Sequence, residues 1–403
     1  MVRRISILGS TGSIGVSTLR LLEETGNPGQ DYAIEALVGG RNVELLAEQA
    51  LKFRPAITVL ADETQWDVFR DLIGNSGLNI ACGEAAMLEA AGRKADWIMA
   101  AIVGIAGLKP VWAAAGTGAI LALANKESLV CCGRSLIERV EAHGGTVLPV
   151  DSEHNAIFQV LDPTQRSKIS RLILTASGGP FLGKSRDELK TVTVEQALKH
   201  PNWAMGAKIT IDSATLANKG LELIEASYLF DMPSGKIDVV MHPQSVIHSL
   251  VEYEDGSSLA QLGTPDMRVP ISYCLGWPDR TAWKAPKLDL VAKGSLSFCA
   301  PDAAAFPMLR LAREALETGE GMPIVFNAAN EVCVQAFLDR KITFLQIADY
   351  VETAMMRAQL PSNTSVHHTS RDRTDAHMVL ALEIDSDVRR LVQDLFVTAN
   401  VSA

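Results

Sequence analysis

A strand that runs straight into a glycine turn and then a helix constrains this chain most. Arg3-Arg4-Ile5-Ser6-Ile7-Leu8 leads into Gly9-Ser10-Thr11-Gly12-Ser13-Ile14-Gly15, and a helical stretch, Ile14–Glu24, follows. Glycines let backbone approach a phosphate closely, and a helix N-terminus offers unpaired N–H groups and a favourable dipole. The spacing is G-x-x-G-x-x-G rather than the commoner G-x-G-x-x-G, so the alternative is a plain tight turn. Its place at the first strand of an alternating pattern favours a phosphate site.

The alternation continues. Strands are predicted at Ile34–Val38, Ile57–Leu60, Trp97–Ala101, Ile120–Leu123 and Thr146–Val150, with helices such as Val43–Lys52 between them. Short apolar strands separated by helices imply a parallel sheet covered on both faces. The expected class is α/β, with a Rossmann-like dinucleotide-binding domain over residues 1–150. From 151 to 278 the pattern becomes α+β, with strand-like runs at Leu172–Thr175, Lys208–Ile211, Asp238–Met241 and Val246–Tyr253. Residues 279–302 read as a linker. Residues 303–403 read as a helical bundle, with helices at Phe306–Thr318, Pro323–Asp339 and Thr343–Met356, and Pro361–Ala376 as a polar loop.

Composition excludes some functions. Of 403 residues, 47% are hydrophobic and 21% charged, enough for a sizeable core. A net charge of −10 argues against a nucleic-acid partner, which demands a basic footprint, but not against a small anion held locally. No apolar run reaches the ~18 residues of a membrane span, and, with the first strand starting at Arg3, no targeting segment is expected ahead of it. A cytoplasmic location is expected, or an organelle stroma if a transit peptide has been removed. The six cysteines show no CxxC spacing and predict buried free thiols in a reducing compartment.

The strand ends carry the chemistry. The second strand ends Val38-Gly39-Gly40-Arg41-Asn42, with an arginine where an NAD enzyme places an acid, which favours a 2′-phosphate and hence NADP. Leu123-Ala124-Asn125-Lys126-Glu127-Ser128 puts polar groups directly after an apolar strand, where open α/β sheets bind ligands; Asn125 can also cap the next helix. Asp151 and Glu153, at the tip of another strand, can face one hard cation. A third carboxylate comes from the predicted helix Leu216–Phe230, opened by Asp212–Thr215. Asn218, Glu222 and Glu225 share its stripe, with Lys219 at the edge. The alternative is an internal Lys219–Glu222 pair. Thr175-Ala176-Ser177-Gly178-Gly179-Pro180 offers a hydroxyl beside backbone donors. His200-Pro201-Asn202-Trp203-Ala204-Met205-Gly206 has the composition of a lid, within about 198–208. His242 and His248, each taken alone, read as structural.

Together GSTGSIG, LANKESLV, PVDSEHNAIFQ, SGGPF, HPNWAMGAKITIDSATLANKGLE, HPQSVIHS and GTPDMR resemble the 1-deoxy-D-xylulose 5-phosphate reductoisomerase family, and NAANE at Asn327–Glu331 extends the match. The resemblance implies rearrangement and NADPH-dependent reduction of 1-deoxy-D-xylulose 5-phosphate to 2-C-methyl-D-erythritol 4-phosphate, with Mg²⁺, Mn²⁺ or Co²⁺, in a homodimer. It implies Asp151, Glu153 and Glu222 as metal ligands, and Lys126, Glu153 and His200 as catalytic. Ser152, Glu153, Ser177, His200, Trp203, Ser213, Asn218, Lys219, Glu222 and His248 would line the substrate. Thr11, Gly12, Ser13, Ile14, Gly40, Arg41, Asn42, Asn125, Glu127 and Gly206 would contact NADPH. Arg41 replaces the lysine of some relatives and keeps the charge. Two other readings stay open: an NADP-dependent dehydrogenase of another substrate, which has no need of the three carboxylates, and a non-catalytic nucleotide sensor.

Overall fold

The computed structural model describes residues 2–203, 205–319, 321–360 and 371–401. They form two compact units. The first comprises Met1–Ser128, Arg134–Asn155 and Asp266–Pro286; the second comprises Leu129–Gly133, Ala156–Pro265 and Lys287–Ala403.

The first unit is built on a parallel sheet of seven strands. In chain order they are β1 (Arg3–Leu8), β2 (Tyr32–Gly39), β3 (Ile57–Leu60), β4 (Ile80–Cys82), β5 (Trp97–Ala100), β6 (Ile120–Leu123) and β7 (Thr146–Pro149). Their spatial order, β4-β3-β2-β1-β5-β6-β7, reverses direction beside β1. The C-terminal ends of β1 and β5 therefore flank the crevice where doubly wound sheets bind ligands. Strands buried on both faces need near-continuous apolar runs, and Ile57-Thr58-Val59-Leu60 and Trp97-Ile98-Met99-Ala100 are fully buried.

Asp266–Pro286 rejoins this unit through named bonds. Trp97 Nε1 donates to the Cys274 carbonyl at 3.0 Å, and Cys274 Sγ lies 3.2 Å from the Pro149 carbonyl at the end of β7. Trp283 Nε1 donates to Glu24 at 2.7 Å.

The second unit holds a four-stranded sheet of β8 (Ile169–Ala176), β9 (Ile237–Met241), β10 (Ile247–Tyr253) and β11 (Ser258–Leu262), ordered β11-β10-β8-β9. Strands β8 and β9 are parallel, and β10 is antiparallel to β8 and β11. Around it run the helices Ala207–Thr215, Ala217–Phe230, Met308–Thr318, Met322–Leu338, Phe344–Arg357 and Arg371–Val401. The expected order of parallel sheet, α+β region and helical bundle is thus observed.

Four expectations are corrected. Lys208–Ile211 is not a strand: it lies in the helix Ala207–Thr215. The β-branched Ile209, Thr210 and Ile211 are outweighed by packing and by a Lys208–Asp212 ion pair of 2.9 Å at helical i,i+4 spacing. Asp212–Thr215 accordingly does not open the next helix. Leu216, at φ 65°, is the left-handed corner between two helices. Of the predicted polar loop, residues 361–370 lie outside the described residues, and Arg371–Ala376 begin a helix. All six cysteines are free, but Cys82 is half-buried and Cys299 exposed, so burial holds for Cys131, Cys132, Cys274 and Cys333.

Candidate active site

In the first unit the glycine turn has a steric logic. Gly9 sits at φ 93°, and a Cβ there would lie 2.6 Å from the Ala101 carbonyl oxygen after β5. A Cβ on Gly15 would meet Gly9 O at 2.4 Å, so the helix Ser13–Thr25 packs onto the turn only because that residue is glycine. Gly12 and Ser13 are exposed at the helix start, with Thr11 and Ile14 half-buried beside them. That leaves the turn's outer face open to an anion.

At the end of β2, Gly40, Arg41 and Asn42 are all exposed. Asn42 caps the helix Val43–Phe53 by accepting from Leu45 N at 3.2 Å. The Arg41 guanidinium, 91% exposed, lies 3.5 Å from Asp62. Asp62 was not anticipated; no motif marks it, because it comes from the end of the neighbouring strand β3.

After β6, Asn125 is 1% exposed and its amide is fully engaged. Its Nδ2 donates to the Ile102 and Gly104 carbonyls at 2.5 and 2.9 Å and to Glu127 at 3.2 Å, while its Oδ1 caps Ser128 N at 2.9 Å. The expected cap is present, and it also ties the ends of β5 and β6 together. Next to it Lys126, 5% exposed, places Nζ 2.5 Å from Asp151 Oδ2. Asp151 follows β7 by two residues, and Glu153 stands in the first turn of the helix Ser152–Val160, accepting from Ser152 Oγ at 2.6 Å. Asn155 anchors this turn: its Nδ2 donates to the Pro149 carbonyl at 2.9 Å. Carboxylate oxygens are the donors that Mg²⁺ and Mn²⁺ prefer.

In the second unit Ser177 follows β8. Its hydroxyl accepts from Gly179 N at 3.2 Å and lies 3.0 Å from His200 Nε2. His200 Nδ1 accepts from Asn202 N and Trp203 N at 3.2 and 3.0 Å. An acceptor at Nδ1 leaves the proton on Nε2, so the imidazole donates to Ser177. Burial holds His200 below the usual histidine range, which keeps it neutral. The Trp203 ring lies 6.4 Å from that of His248. Ser177, His200, Trp203 and His248 are thus gathered in one place.

Ser213 joins them through Gly179, where a Cβ would come within 2.9 Å of the Ser213 carbonyl oxygen. One corner later, Asn218 Nδ2 and Lys219 Nζ each bond one oxygen of Glu222. Lys219 and Glu222 are buried, at 4% and 1% exposure. The internal pair that the sequence allowed is therefore present, inside a larger cluster.

Sequence reasoning also missed a support for the 200–203 segment. Asn202 Nδ2 donates to the Pro243 carbonyl at 2.6 Å and to Ser245 Oγ at 3.1 Å. His242 stiffens that turn, bonding Ser297 O at 3.0 Å and accepting from Val246 N at 3.2 Å, so its structural reading holds. Ala204 lies outside the described residues, and Gly206 begins the helix Ala207–Thr215 as its exposed cap.

The family model for 1-deoxy-D-xylulose 5-phosphate reductoisomerase matches residues 5–133, and models for that enzyme's C-terminal domains match 147–230 and 262–391. The chain belongs to the 1-deoxy-D-xylulose 5-phosphate reductoisomerase family. A reductoisomerase of Caulobacter vibrioides is 54% identical over 393 residues, covering 98% of this chain and 96% of that protein. One of Rhodospirillum centenum is 52% identical over 394 residues, covering 98% and 94%. Among solved reductoisomerases, that of Zymomonas mobilis in complex with NADPH superposes with a TM-score of 0.87 at 46% identity, over 98% of this chain and 99% of that one. Another, in complex with NADPH, fosmidomycin and magnesium, gives 0.90 at 41% identity over 99% of both chains.

Proposed function

We propose that this reductoisomerase converts 1-deoxy-D-xylulose 5-phosphate to 2-C-methyl-D-erythritol 4-phosphate, a step of the methylerythritol phosphate route to isoprenoids, using NADPH and a divalent metal. The observation that carries the reading is 54% identity to a reductoisomerase along 98% of the chain. Relatives solved with NADPH and with magnesium support both cofactors. Manganese and cobalt are proposed as alternatives on the oxygen-only donor set.

Residues 1–150 would bind NADPH. The pyrophosphate is assigned to Thr11, Gly12, Ser13 and Ile14, where the turn is open and the helix Ser13–Thr25 begins. Gly40, Arg41 and Asn42 would take the 2′-phosphate end, and Asn125, Glu127 and Gly206 the remainder. Residues 151–278 would carry the chemistry, followed by the linker 279–302 and helices of 303–403.

Asp151, Glu153 and Glu222 would hold the metal, supported by their charge and by the burial of Glu222. The metal supplies Lewis acidity toward the substrate's carbonyl and hydroxyl oxygens, and NADPH supplies the hydride. Lys126, already paired with Asp151, would stand beside the reacting carbons and moderate the negative charge there. Ser152 would orient Glu153 through their hydrogen bond. Ser177, Ser213, Asn218 and Lys219, with His200, would bind the phosphate. Trp203 and His248 would wall the carbon skeleton, and closure of the 200–206 segment would exclude water.

No helix among the described residues is long and apolar enough to cross a membrane. With bacterial relatives, this supports a cytoplasmic location. A homodimer is proposed from the family and is checked by light scattering. The central test is NADPH oxidation with 1-deoxy-D-xylulose 5-phosphate, with and without EDTA. Turnover that EDTA abolishes and Mg²⁺ restores is expected; metal-independent turnover, or none with this substrate, overturns the reading.

A further inference from the structure

The motif Asn327-Ala328-Ala329-Asn330-Glu331 has no role in the scheme above. It lies in the helix Met322–Leu338, and Asn327 and Asn330 are fully buried. Asn330 Nδ2 donates to Asp212 Oδ1 at 2.8 Å, across 118 residues of sequence. Asp212 is itself 1% exposed, and its other oxygen lies 2.9 Å from Lys208 Nζ. This carboxylate is clamped at both oxygens: by an amide from another helix and by an ammonium one turn back on its own. A charge so deeply buried survives only with partners of this kind.

The clamped helix is the one that matters for the substrate. Ala207–Thr215 starts at Gly206, beside the 200–203 segment, and ends at the left-handed corner Leu216, from which Asn218, Lys219 and Glu222 follow. Asp212 immediately precedes Ser213, whose carbonyl seats against Gly179 of the Ser177 loop. A roll or slide of this helix would move the Ser213 hydroxyl relative to that of Ser177. The helix that carries Asn330 is held in turn, since Glu331 accepts from Arg389 of the helix Arg371–Val401.

We propose that Asn330 is a positioning residue for the substrate's phosphate. It acts through Asp212 to hold Ser213, and with it the start of the Asn218–Glu222 turn, in register with Ser177. This rests on the assignment of the phosphate to Ser177 and Ser213.

The test compares the full-length Asn330→Ala, Asn330→Asp and Ser213→Ala variants and the exchange Asp212→Asn/Asn330→Asp. KM for 1-deoxy-D-xylulose 5-phosphate, KM for NADPH, kcat and Tm are measured for each. Asn330→Ala is expected to raise substrate KM about tenfold, the scale of one lost bond to a charged group, and NADPH KM by much less, since of the proposed NADPH contacts only Gly206 borders this helix. Asn330→Asp, which sets two carboxylates face to face, should raise it further. The exchange restores one amide facing one carboxylate but not the Lys208–Asp212 ion pair, so it should recover part of the substrate KM lost in Asn330→Asp. A substrate KM unchanged in folded Asn330→Ala overturns the proposal, as does a Tm loss with no KM change or an exchange without recovery. If Asn330→Ala fails to fold, the exchange variant alone decides. If Ser213→Ala leaves substrate KM unchanged, the phosphate assignment fails and the proposal falls with it. If Ser213→Ala raises KM and folded Asn330→Ala does not, only the positioning role is lost.

Discussion

Gly179 stands so close to Ser213 that a Cβ on the glycine would lie 2.9 Å from the serine's carbonyl oxygen. The same residue has φ 62° and donates its N–H to Ser177 at 3.2 Å. One glycine thus sets the spacing of two hydroxyls assigned to the phosphate. Gly179→Ala is expected to cost about 1–3 kcal/mol, from the left-handed backbone and from displacement of neighbours. Because the displaced neighbour carries Ser213, substrate KM should rise about tenfold or more while NADPH KM holds. Steady-state kinetics with both substrates, alongside thermal unfolding, checks this; a stability loss without a change in substrate KM contradicts it.

Arg41 is 91% exposed and lies 3.5 Å from the half-buried Asp62. Such a surface pair contributes little to stability. Its proposed work is on the cofactor's 2′-phosphate, where a charge-assisted contact is worth about 1.5–3 kcal/mol. Arg41→Ala should therefore weaken NADPH binding about tenfold to a hundredfold, leave NADH nearly unaffected, and shift unfolding by less than about 0.5 kcal/mol. Binding titrations with both nucleotides measure the ratio. Equal losses for NADPH and NADH would remove Arg41 from the 2′-phosphate.

His200 predicts a pH dependence whose sign follows from its burial. The folded-state imidazole is held below the usual histidine value of 6.5, so the unfolded chain takes up its proton first as pH falls. The histidine's contribution to stability is full above the unfolded value. It is lost as pH drops from there toward the depressed folded value. A proton on Nδ1 would also eject the N–H groups of Asn202 and Trp203. Substrate KM should then climb in the same acid window, with NADPH KM steady. Nitrogen-15 NMR of the imidazole should show the Nε2–H form at pH 7. A Nδ1–H form there would reject the assignment.

Much of this was legible locally. Strands β3 and β6 match their predicted limits residue for residue, because Ile57-Thr58-Val59-Leu60 and Ile120-Leu121-Ala122-Leu123 are short runs rich in large apolar and β-branched side chains, with polar residues within two positions of their C-terminal ends. Strand β4 escaped notice: Ile80–Cys82 is a three-residue edge strand with only one strongly apolar side chain. Ile209-Thr210-Ile211 misled because β-branching is a local preference, whereas the helix there is fixed by Asp212 and its partners. The return of Asp266–Pro286 to the first unit is equally nonlocal, since it depends on Trp97 meeting Cys274 across 177 residues. In the site, residues that end strands announced themselves. Residues that hold those ends in place, such as Asn202, Ser245 and Asn330, did not, because their partners lie elsewhere in the chain.

Glu222 is the most exacting test of the metal assignment, because its carboxylate does two things. It accepts from Asn218 and Lys219, with Lys219 only 4% exposed. Glu222→Gln keeps the shape but sets a donor amide against the Lys219 ammonium and leaves that charge unbalanced. Breaking a buried pair in this way costs about 3–5 kcal/mol. Lost turnover alone would therefore be ambiguous between a missing ligand and a weakened fold. The double variant Lys219→Met/Glu222→Gln removes the unbalanced charge and should recover most of the Tm. It should not recover metal affinity, measured by Mn²⁺ binding in electron paramagnetic resonance, nor turnover, which should stay at least about a hundredfold down. A double variant that regains parental Mn²⁺ affinity would take Glu222 out of the ligand set and leave it a structural partner of Lys219.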